Sequence, residues 1–286
     1  MTIAFDAILE IYRRLGATNE GATYKASSGS TTTVVCAALT DSDDHWNEGT
    51  LLVLTDAGGA SAVPENESRA ISDFVASTDT VTVGTAFSAA LAANDLFAIT
   101  TDEYPRWAVL RAINAALQWY GDIPAHDDST LDTAASTLEY SLPAAAVHDL
   151  RQVFIAAGTS TPYTYTRFPY YHVDHGNSKL VFHQQPPYVR NIRLVYMAPH
   201  DTIDSDDDTI NPALHLPALY EYAVAQCYRW KTQRAGYDDK SLIDQYNQSL
   251  QLAETEKKKN PIRVVPKDVT YAYTATYSRG LTVADP

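Results

Sequence analysis

The sequence predicts an α+β fold: a helical bundle of about four helices with an inserted small antiparallel β-barrel or sandwich domain, a second β-hairpin region and an extended C-terminal tail. Two observations support this prediction. In several segments, apolar residues recur at three- and four-residue steps, the spacing of one face of an α-helix. Over residues 22–100, short runs rich in Thr, Val, Ile and Phe alternate with turn residues, which is typical of antiparallel strands.

These patterns also predict the domain organisation. Residues 1–21 and 101–260 form a helical core, with β elements at 136–198. Residues 22–100 form a β domain inserted between two helices that belong together, and residues 261–286 form the extended tail. Such an insertion is well tolerated because the two ends of the inserted domain usually lie close together.

The central helix is predicted over residues 102–120, DEYPRWAVLRAINAALQWY. Asp102 is placed to cap its N-terminus, Pro105 falls in the first turn, and Gly121 can end the helix in a left-handed conformation. The apolar stripe of this helix consists of Leu110, Ile113, Leu117 and Tyr120. Because such a stripe must pack against other helices, we expect this helix to be the spine of the bundle.

Three further helices have the same spacing, over residues 2–16, about 213–235 and about 239–259. The last helix ends in three lysines, which favour the negative end of the helix dipole and form a solvated face, and Pro261 stops it. The predicted helix-bundle core consists of Leu110, Ile113, Leu117, Leu219, Tyr246 and Leu250.

Strands are predicted in the second half as well. Residues 124–135 form a polar linker, and LEYSLPAAAVHDLRQVFIA then contains a short strand, a turn or short helix, and a buried strand. The runs KLVFHQ and NIRLVYMA predict a hairpin with a longer loop. In the tail, TYAYTATY predicts a strand without a core of its own. That strand must pair either with an edge of the same chain or with a partner protein.

The charge of the chain excludes some classes of function. The sequence has 35 acidic and 21 basic residues, a formal net charge of −14 at pH 7. A nucleic-acid groove needs a basic stripe, and the sequence shows none. An acidic wall, in contrast, suits a channel through which DNA slides without sticking.

No apolar run in the sequence is long enough to span a bilayer, and the N-terminus lacks the features of a signal peptide. We therefore expect no membrane partner and a protein that stays in the cytoplasm after synthesis. Cys36 and Cys227 lie far apart in sequence. They are predicted to be two buried thiols, with a disulfide as the alternative.

Two motifs have residue types that could bind a metal ion. The run DSDDD at residues 204–208 fails the calcium-loop pattern, because the sixth place is Thr209 and the twelfth is His215. We therefore predict a solvated loop there. His172 and His175 are three residues apart, so in a strand they face opposite sides and do not form a metal pair. No G-x-S-x-G motif occurs. The sequence thus predicts no catalytic residue, cofactor-binding residue, cofactor or metal ligand, and no enzyme activity.

Four segments together resemble a known family. WNEGTLLVLT with the strands up to residue 99 resembles a small β domain common in tailed-phage neck and tail proteins. RWAVLRAINAALQWYGDI, followed by LEYSLPAAAVHDLRQVFIA, is similar to the helix and strand order of tailed-bacteriophage head-to-tail adaptor (connector or neck) proteins. The segment from LPALYEYAVAQCYRW to TEKKKNP is similar to their closing helix pair.

The resemblance implies a structural virion protein. Members of this family form rings, usually of twelve copies, that dock beneath the portal protein, continue the DNA channel and attach tail or nozzle proteins. It implies that DNA passes through the lumen without specific binding, and that the protein sits in the virion neck after assembly in the host cytoplasm. For the tail, we predict portal interaction by strand addition through Tyr271, Tyr273 and Tyr277.

Two other functions stay open at this point. One is a tail or fibre-attachment binding module whose β domain, residues 22–100, recognises a protein or a surface glycan. The other is a hydrolytic tail enzyme, which would need a carboxylate pair that the sequence does not single out.

Overall fold

The computed structural model describes residues 2–18, 24–55, 65–187, 189–234 and 239–268. Its chain divides into two compact units. Unit 1 consists of Met1–Tyr120 and Asp201–Pro261, and unit 2 of Gly121–His200 and Ile262–Pro286. The domain boundaries predicted from the sequence remain a prediction beside this division.

The described residues contain five α-helices. They are α1 (Ala4–Arg14), α2 (Arg106–Tyr120), α3 (Ala144–Asp149), α4 (Leu216–Arg234) and α5 (Lys240–Lys259). Gly16 and Gly121, which follow α1 and α2, have φ angles of 65° and 81°, so the predicted left-handed end at Gly121 is confirmed. The predicted cap at Asp102 is wrong, because α2 begins only after Pro105. Proline fits that place, since a helix start needs no backbone donor there.

The same residues contain fourteen β-strands and one short 3-10 helix, Ala76–Thr78. The strands of unit 1 are β1 (Tyr24–Lys25), β2 (Ser28–Gly29), β3 (Thr33–Val35), β4 (Thr50–Thr55), β5 (Ser68–Val75), β6 (Thr80–Val83) and β7 (Leu96–Thr100). The strands of unit 2 are β8 (Ile123–Asp132), β9 (Glu139–Ser141), β10 (Leu150–Ala156), β11 (Tyr165–Arg167), β12 (Tyr171–Asp174), β13 (Lys179–Phe182) and β14 (Asn191–Ala198).

In unit 1 the strands form one seven-stranded antiparallel sheet in the order β1-β7-β4-β5-β6-β3-β2. Its alternating apolar side chains bury one core, in which Leu51, Phe74 and Phe97 are fully buried. In the same unit, α4 packs against α1, α2 and α5. Apolar residues at helical spacing therefore do bring these helices together.

Unit 2 has two antiparallel sheets, one in the order β11-β10-β14-β8 and one in the order β12-β13-β9. Side chains from both sheets share one core, for example Val153 and Leu194 from the first sheet and Leu180 and Phe182 from the second. The short helix α3 connects β9 to β10 and packs on β14. Sheet-on-sheet packing of this kind buries one face of each sheet.

The predicted fold class is wrong. Across the described ranges the protein has fourteen strands in three antiparallel sheets with five α-helices, and not a helical bundle with an inserted barrel. The seven-stranded sheet is not a closed barrel, because no ladder among its described strands joins β1 to β2.

Two errors in unit 2 explain much of the difference. The segment predicted as a polar linker contains all but the first residue of β8, which pairs with β14 along most of its length. The predicted hairpin does not form, because β13 pairs with β12 and β9 while β14 pairs with β10 and β8. Strand pairing uses backbone groups, so a polar segment can form a strand when one of its faces meets solvent.

No helix within the described part of the chain has both the length and the apolar character needed to cross a membrane. Cys36 and Cys227 are both buried and free, as predicted. Burial raises the pKa of the Cys227 thiol to about 12, so this thiol stays protonated at neutral pH.

Candidate assembly surface

The helices α2 and α4 pack against each other and leave a groove on the surface of unit 1. The groove has a volume of about 220 Å³. It is lined by Ala108, Arg111, Ala112, Ala115, Gln226, Arg229, Trp230 and Gln233. Because α2 contributes alanines at helical spacing, a partner could come close to its backbone here.

A wider depression of about 530 Å³ shares Arg111, Trp230 and Gln233 with this groove. Trp107 lines the depression and is 56% exposed. Its ring meets that of Trp230 edge to face, with ring centroids 5.6 Å apart, and the Arg234 guanidinium lies 5.6 Å from the Trp230 centroid. Two adjacent indoles at the surface are unusual for a monomer and typical of interfaces.

The basic residues around these rings fall into two groups. Lys231 and Arg234 form ion pairs with Glu103 and Asp102 respectively, the latter at 3.7 Å. Arg111 and Arg229 are exposed, and no described carboxylate lies within 4.0 Å of either guanidinium. We call Trp107, Arg111, Arg229 and Trp230 together the α2–α4 face.

At the other end of α2, Lys257 of α5 holds two helices together. Its ammonium group donates hydrogen bonds to the carbonyl oxygens of Trp119 (2.7 Å) and Tyr120 (3.2 Å), the last residues of α2. It also lies 4.2 Å from the centroid of the Trp119 ring, which stacks on Tyr222 at 4.4 Å. Burial lowers the pKa of Lys257. Lys258 and Lys259 are exposed, as predicted for a solvated lysine face, but Lys257 caps the C-terminal end of α2 instead.

Asp206 connects several elements of unit 1 through its buried side chain, although the sequence predicts a solvated loop there. Its side chain is 4% exposed and accepts hydrogen bonds from the Ser68 amide (2.7 Å) and hydroxyl (2.6 Å). Arg106 and Arg69 donate to the same carboxylate at 3.0 and 3.3 Å. Asp206 thus links β5, α2 and the loop before α4. A carboxylate is stable at this buried position because two guanidinium groups and Ser68 are its partners. The sequence pattern did not predict the burial of Asp206, because the residue lies in a run of acidic residues.

The predicted bundle-core residues lie in different environments. Ile113, Leu117 and Leu219 are buried. Leu110, Tyr246 and Leu250 are half-buried. Tyr271, Tyr273 and Tyr277, predicted to contact a portal, lie outside the described residues.

The described chain ends at a fixed point just before these tyrosines. The Asp268 carboxylate is fully buried, forms an ion pair with Arg167 and accepts a hydrogen bond from the Tyr171 hydroxyl at 3.1 Å. The Asp268 amide donates to the carbonyl oxygen of Arg151 at 2.8 Å, and Gln152 donates to the carbonyl oxygen of Pro266 at 3.0 Å. Residues 266–268 are therefore held in unit 2 by hydrogen bonds and an ion pair.

The two histidines His172 and His175 belong to unit 2. His172 in β12 stacks on His183, with Nδ1 3.2 Å from Nε2, and His175 follows in the turn after β12. Burial and the neighbouring His172 lower the pKa of His183. Among the described residues, no group of three or more His, Cys, Asp or Glu side chains is arranged to hold a metal ion.

Comparison with known proteins finds a matching family model. A family model described as SU10 adaptor protein matches residues 78–279, which is more than half of the chain and includes parts of both units. No curated protein and no solved structure matches the chain. The match contains Arg106, Asp206 and the whole α2–α4 face, while β1 to β5 precede it.

Proposed function

Because the chain belongs to the SU10 adaptor protein family, a phage-related family of adaptors, we propose that it is the head-to-tail adaptor of a tailed phage. In this role, copies of the chain form a ring beneath the portal protein. The ring continues the DNA channel and attaches the tail or nozzle proteins. The observation that carries the proposal is the family match over residues 78–279.

The features of unit 1 support a ring subunit. A closed ring of identical copies needs interfaces in which two different faces of the same chain meet. The surface of unit 1 carries aromatic residues and unpaired arginines on one side of α2 and α4, on a chain with a net charge of −14. We propose twelve copies, the number usual in head-to-tail adaptors. Acidic residues on the lumen side would let DNA pass without specific binding.

The tail completes the proposal. Residues beyond Asp268 would reach the portal and add a strand to it, with Tyr271, Tyr273 and Tyr277 on the pairing strand. The buried Asp268 supports this role, because it anchors in unit 2 the residue that directly precedes this segment. A tail anchored at one end loses less translational and conformational entropy on docking than a free peptide would.

Cryo-electron microscopy of this protein mixed with the portal protein of the same phage tests the proposal. The full chain should form a ring of density beneath the portal. A variant truncated after Asp268 should stay folded and lose most of that density. Truncation at this residue, rather than earlier, leaves the contacts of Asp268 in unit 2 intact.

The outcomes separate the parts of the proposal. Absence of the full chain from the portal, or its location at a fibre tip, would overturn the adaptor role. Full docking by the truncated variant would overturn the role of the tail and leave the adaptor role standing.

A further inference from the structure

We propose that the α2–α4 face binds the acidic surface of a second copy of this chain and is one of the two faces through which neighbouring ring subunits meet. This inference rests on the proposed ring and adds to it the residues that form one side of the contact. Four residues define the face: Trp107, Arg111, Arg229 and Trp230.

The first argument is charge complementarity. Arg111 and Arg229 are exposed and lack a carboxylate partner among the described residues, although acidic residues outnumber basic ones by 35 to 21. The neighbouring cations Lys231 and Arg234 each form an ion pair with a carboxylate. Because the chain has a net charge of −14, the surface of a second copy offers an excess of carboxylates to these two guanidinium groups. Two acidic copies repel each other unless such a basic face meets an acidic one.

The second argument is the apolar surface beside these arginines. Trp107 is 56% exposed and in edge contact with Trp230, and together they border a groove floored by alanines of α2. Tryptophan and arginine are the residue types most enriched at the energetic centres of protein interfaces. Small residues in the groove allow a partner helix or loop to approach closely.

A second copy fits this face better than DNA does. The face contains only two free guanidinium groups, so it lacks the basic stripe that would follow a phosphate backbone. It is concave at the groove and aromatic at its rim, which suits a protein side chain that enters it. Because identical copies carry the same basic face, the partner surface must be a different, acidic one, and such heterologous contacts can close a ring.

The double variant R111E/R229E tests the inference. Both side chains are exposed, so the variant should fold with an unchanged circular dichroism spectrum. The matched control is K25E/K258E, which changes net charge by the same amount at two exposed lysines of unit 1 away from this face. Light scattering and cryo-imaging would follow assembly of each protein, alone and with the portal.

We expect R111E/R229E to weaken self-association about tenfold or more, while the control assembles like the unchanged chain. Mixed with the unchanged chain, the variant should shorten assemblies, because its intact second face still binds one neighbour. A photo-crosslinker at position 107 should join two copies through a peptide that contains Asp or Glu.

Three results would overturn the inference. In the first, R111E/R229E forms rings with the portal as well as the control does. In the second, its rings are normal and only its retention of DNA falls, which would make the face a nucleic-acid contact. In the third, the crosslink joins residue 107 to portal protein alone. In each case the adaptor role stands, whereas failure of the unchanged chain to assemble at the portal would remove both proposals.

Discussion

Asp206 shows how a single residue can be misjudged from its neighbours in sequence. It lies in the run DSDDD, where Asp204 and Asp207 are exposed as a solvated loop requires. The Asp206 side chain instead enters unit 1 and meets two guanidinium groups and Ser68. Its backbone carbonyl also accepts a hydrogen bond from the Phe5 amide at 3.0 Å. No local pattern distinguishes the buried aspartate from its neighbours, because its partners come from other parts of the chain.

Substitution of Asp206 by asparagine should lower the free energy of unfolding of unit 1 by about 3–5 kcal/mol. The amide cannot balance Arg69 and Arg106, whose side chains are only 21% and 20% exposed. Urea denaturation, followed by tryptophan fluorescence, measures the change. The matched control Asp207→Asn, at an exposed position of the same loop, should stay within about 0.5 kcal/mol of the unchanged protein. Equal losses in both variants would contradict the role assigned to Asp206.

His183 should make unit 2 less stable in acid. Burial and His172 hold its pKa below the ordinary value of 6.5, so between these two pKa values the unfolded chain binds a proton that the folded chain does not. The contribution of His183 to the free energy of unfolding is therefore complete above about pH 6.5. It is lost as the pH falls from that value through the lowered pKa of the folded protein. Thermal unfolding between about pH 7.5 and 5 should show a smaller decrease for His183→Gln than for the exposed control His175→Gln. The same pH dependence in both variants would count against this assignment.

At the scale of elements, helices were predicted better than strand partners. Periodicity located α2, α4 and α5 to within a few residues, since apolar spacing and helix-ending residues are local signals. Strand partners depend on residues far apart in sequence. The run KLVF forms β13, but its partners β12 and β9 lie before it in the chain and not after it. Lys257 is similar, because its contact with the end of α2 joins residues more than a hundred positions apart.

The turn into β4 depends on a glycine at position 49. A Cβ atom added there would lie 1.9 Å from the carbonyl oxygen of Thr100 in the adjacent strand β7. Gly49→Ala should therefore destabilise the seven-stranded sheet by about 1–3 kcal/mol, through displacement of a backbone that cannot move freely. Gly84→Ala is the control, because its added Cβ would meet nothing closer than 3.9 Å. It should change stability by at most about 1 kcal/mol, in the favourable direction. Chemical denaturation of both variants measures their free energies of unfolding. An unchanged free energy of unfolding in Gly49→Ala would contradict the close approach of residue 49 to the Thr100 carbonyl oxygen.

For the whole molecule, the family and the broad kind of function were accessible from sequence, while the architecture was not. The order of four weak segments indicated a phage adaptor, and the family match includes most of that order. The α2–α4 face was not predicted, since Trp107 and Arg229 lie on different helices and only packing brings them to one surface. The one signal that could have indicated it was a tryptophan close to an arginine in each of two predicted helices, Trp107 with Arg111 and Trp230 with Arg229.

The contacts of Asp268 decide how a truncation of the predicted tail should be designed. The sequence predicts a tail from residue 261, and within that stretch Asp268 is buried in unit 2 through Arg167, Tyr171 and Arg151. Truncation after residue 260 should therefore remove part of unit 2 as well as the tail. It should lower the free energy of unfolding of unit 2 by about 1–3 kcal/mol, because Tyr171 and Arg167 lose a buried partner.

Truncation after Asp268 should leave unit 2 as stable as it is in the full chain. Hydrogen exchange with mass spectrometry distinguishes the two truncations, because amides of β10 and β12 should exchange faster only in the shorter protein. If both truncated proteins exchange alike in these strands, residues 262–268 belong functionally to the tail. If only the shorter one is affected, a loss of portal docking after truncation at residue 260 would report damage to unit 2, and only truncation after Asp268 would measure the tail itself.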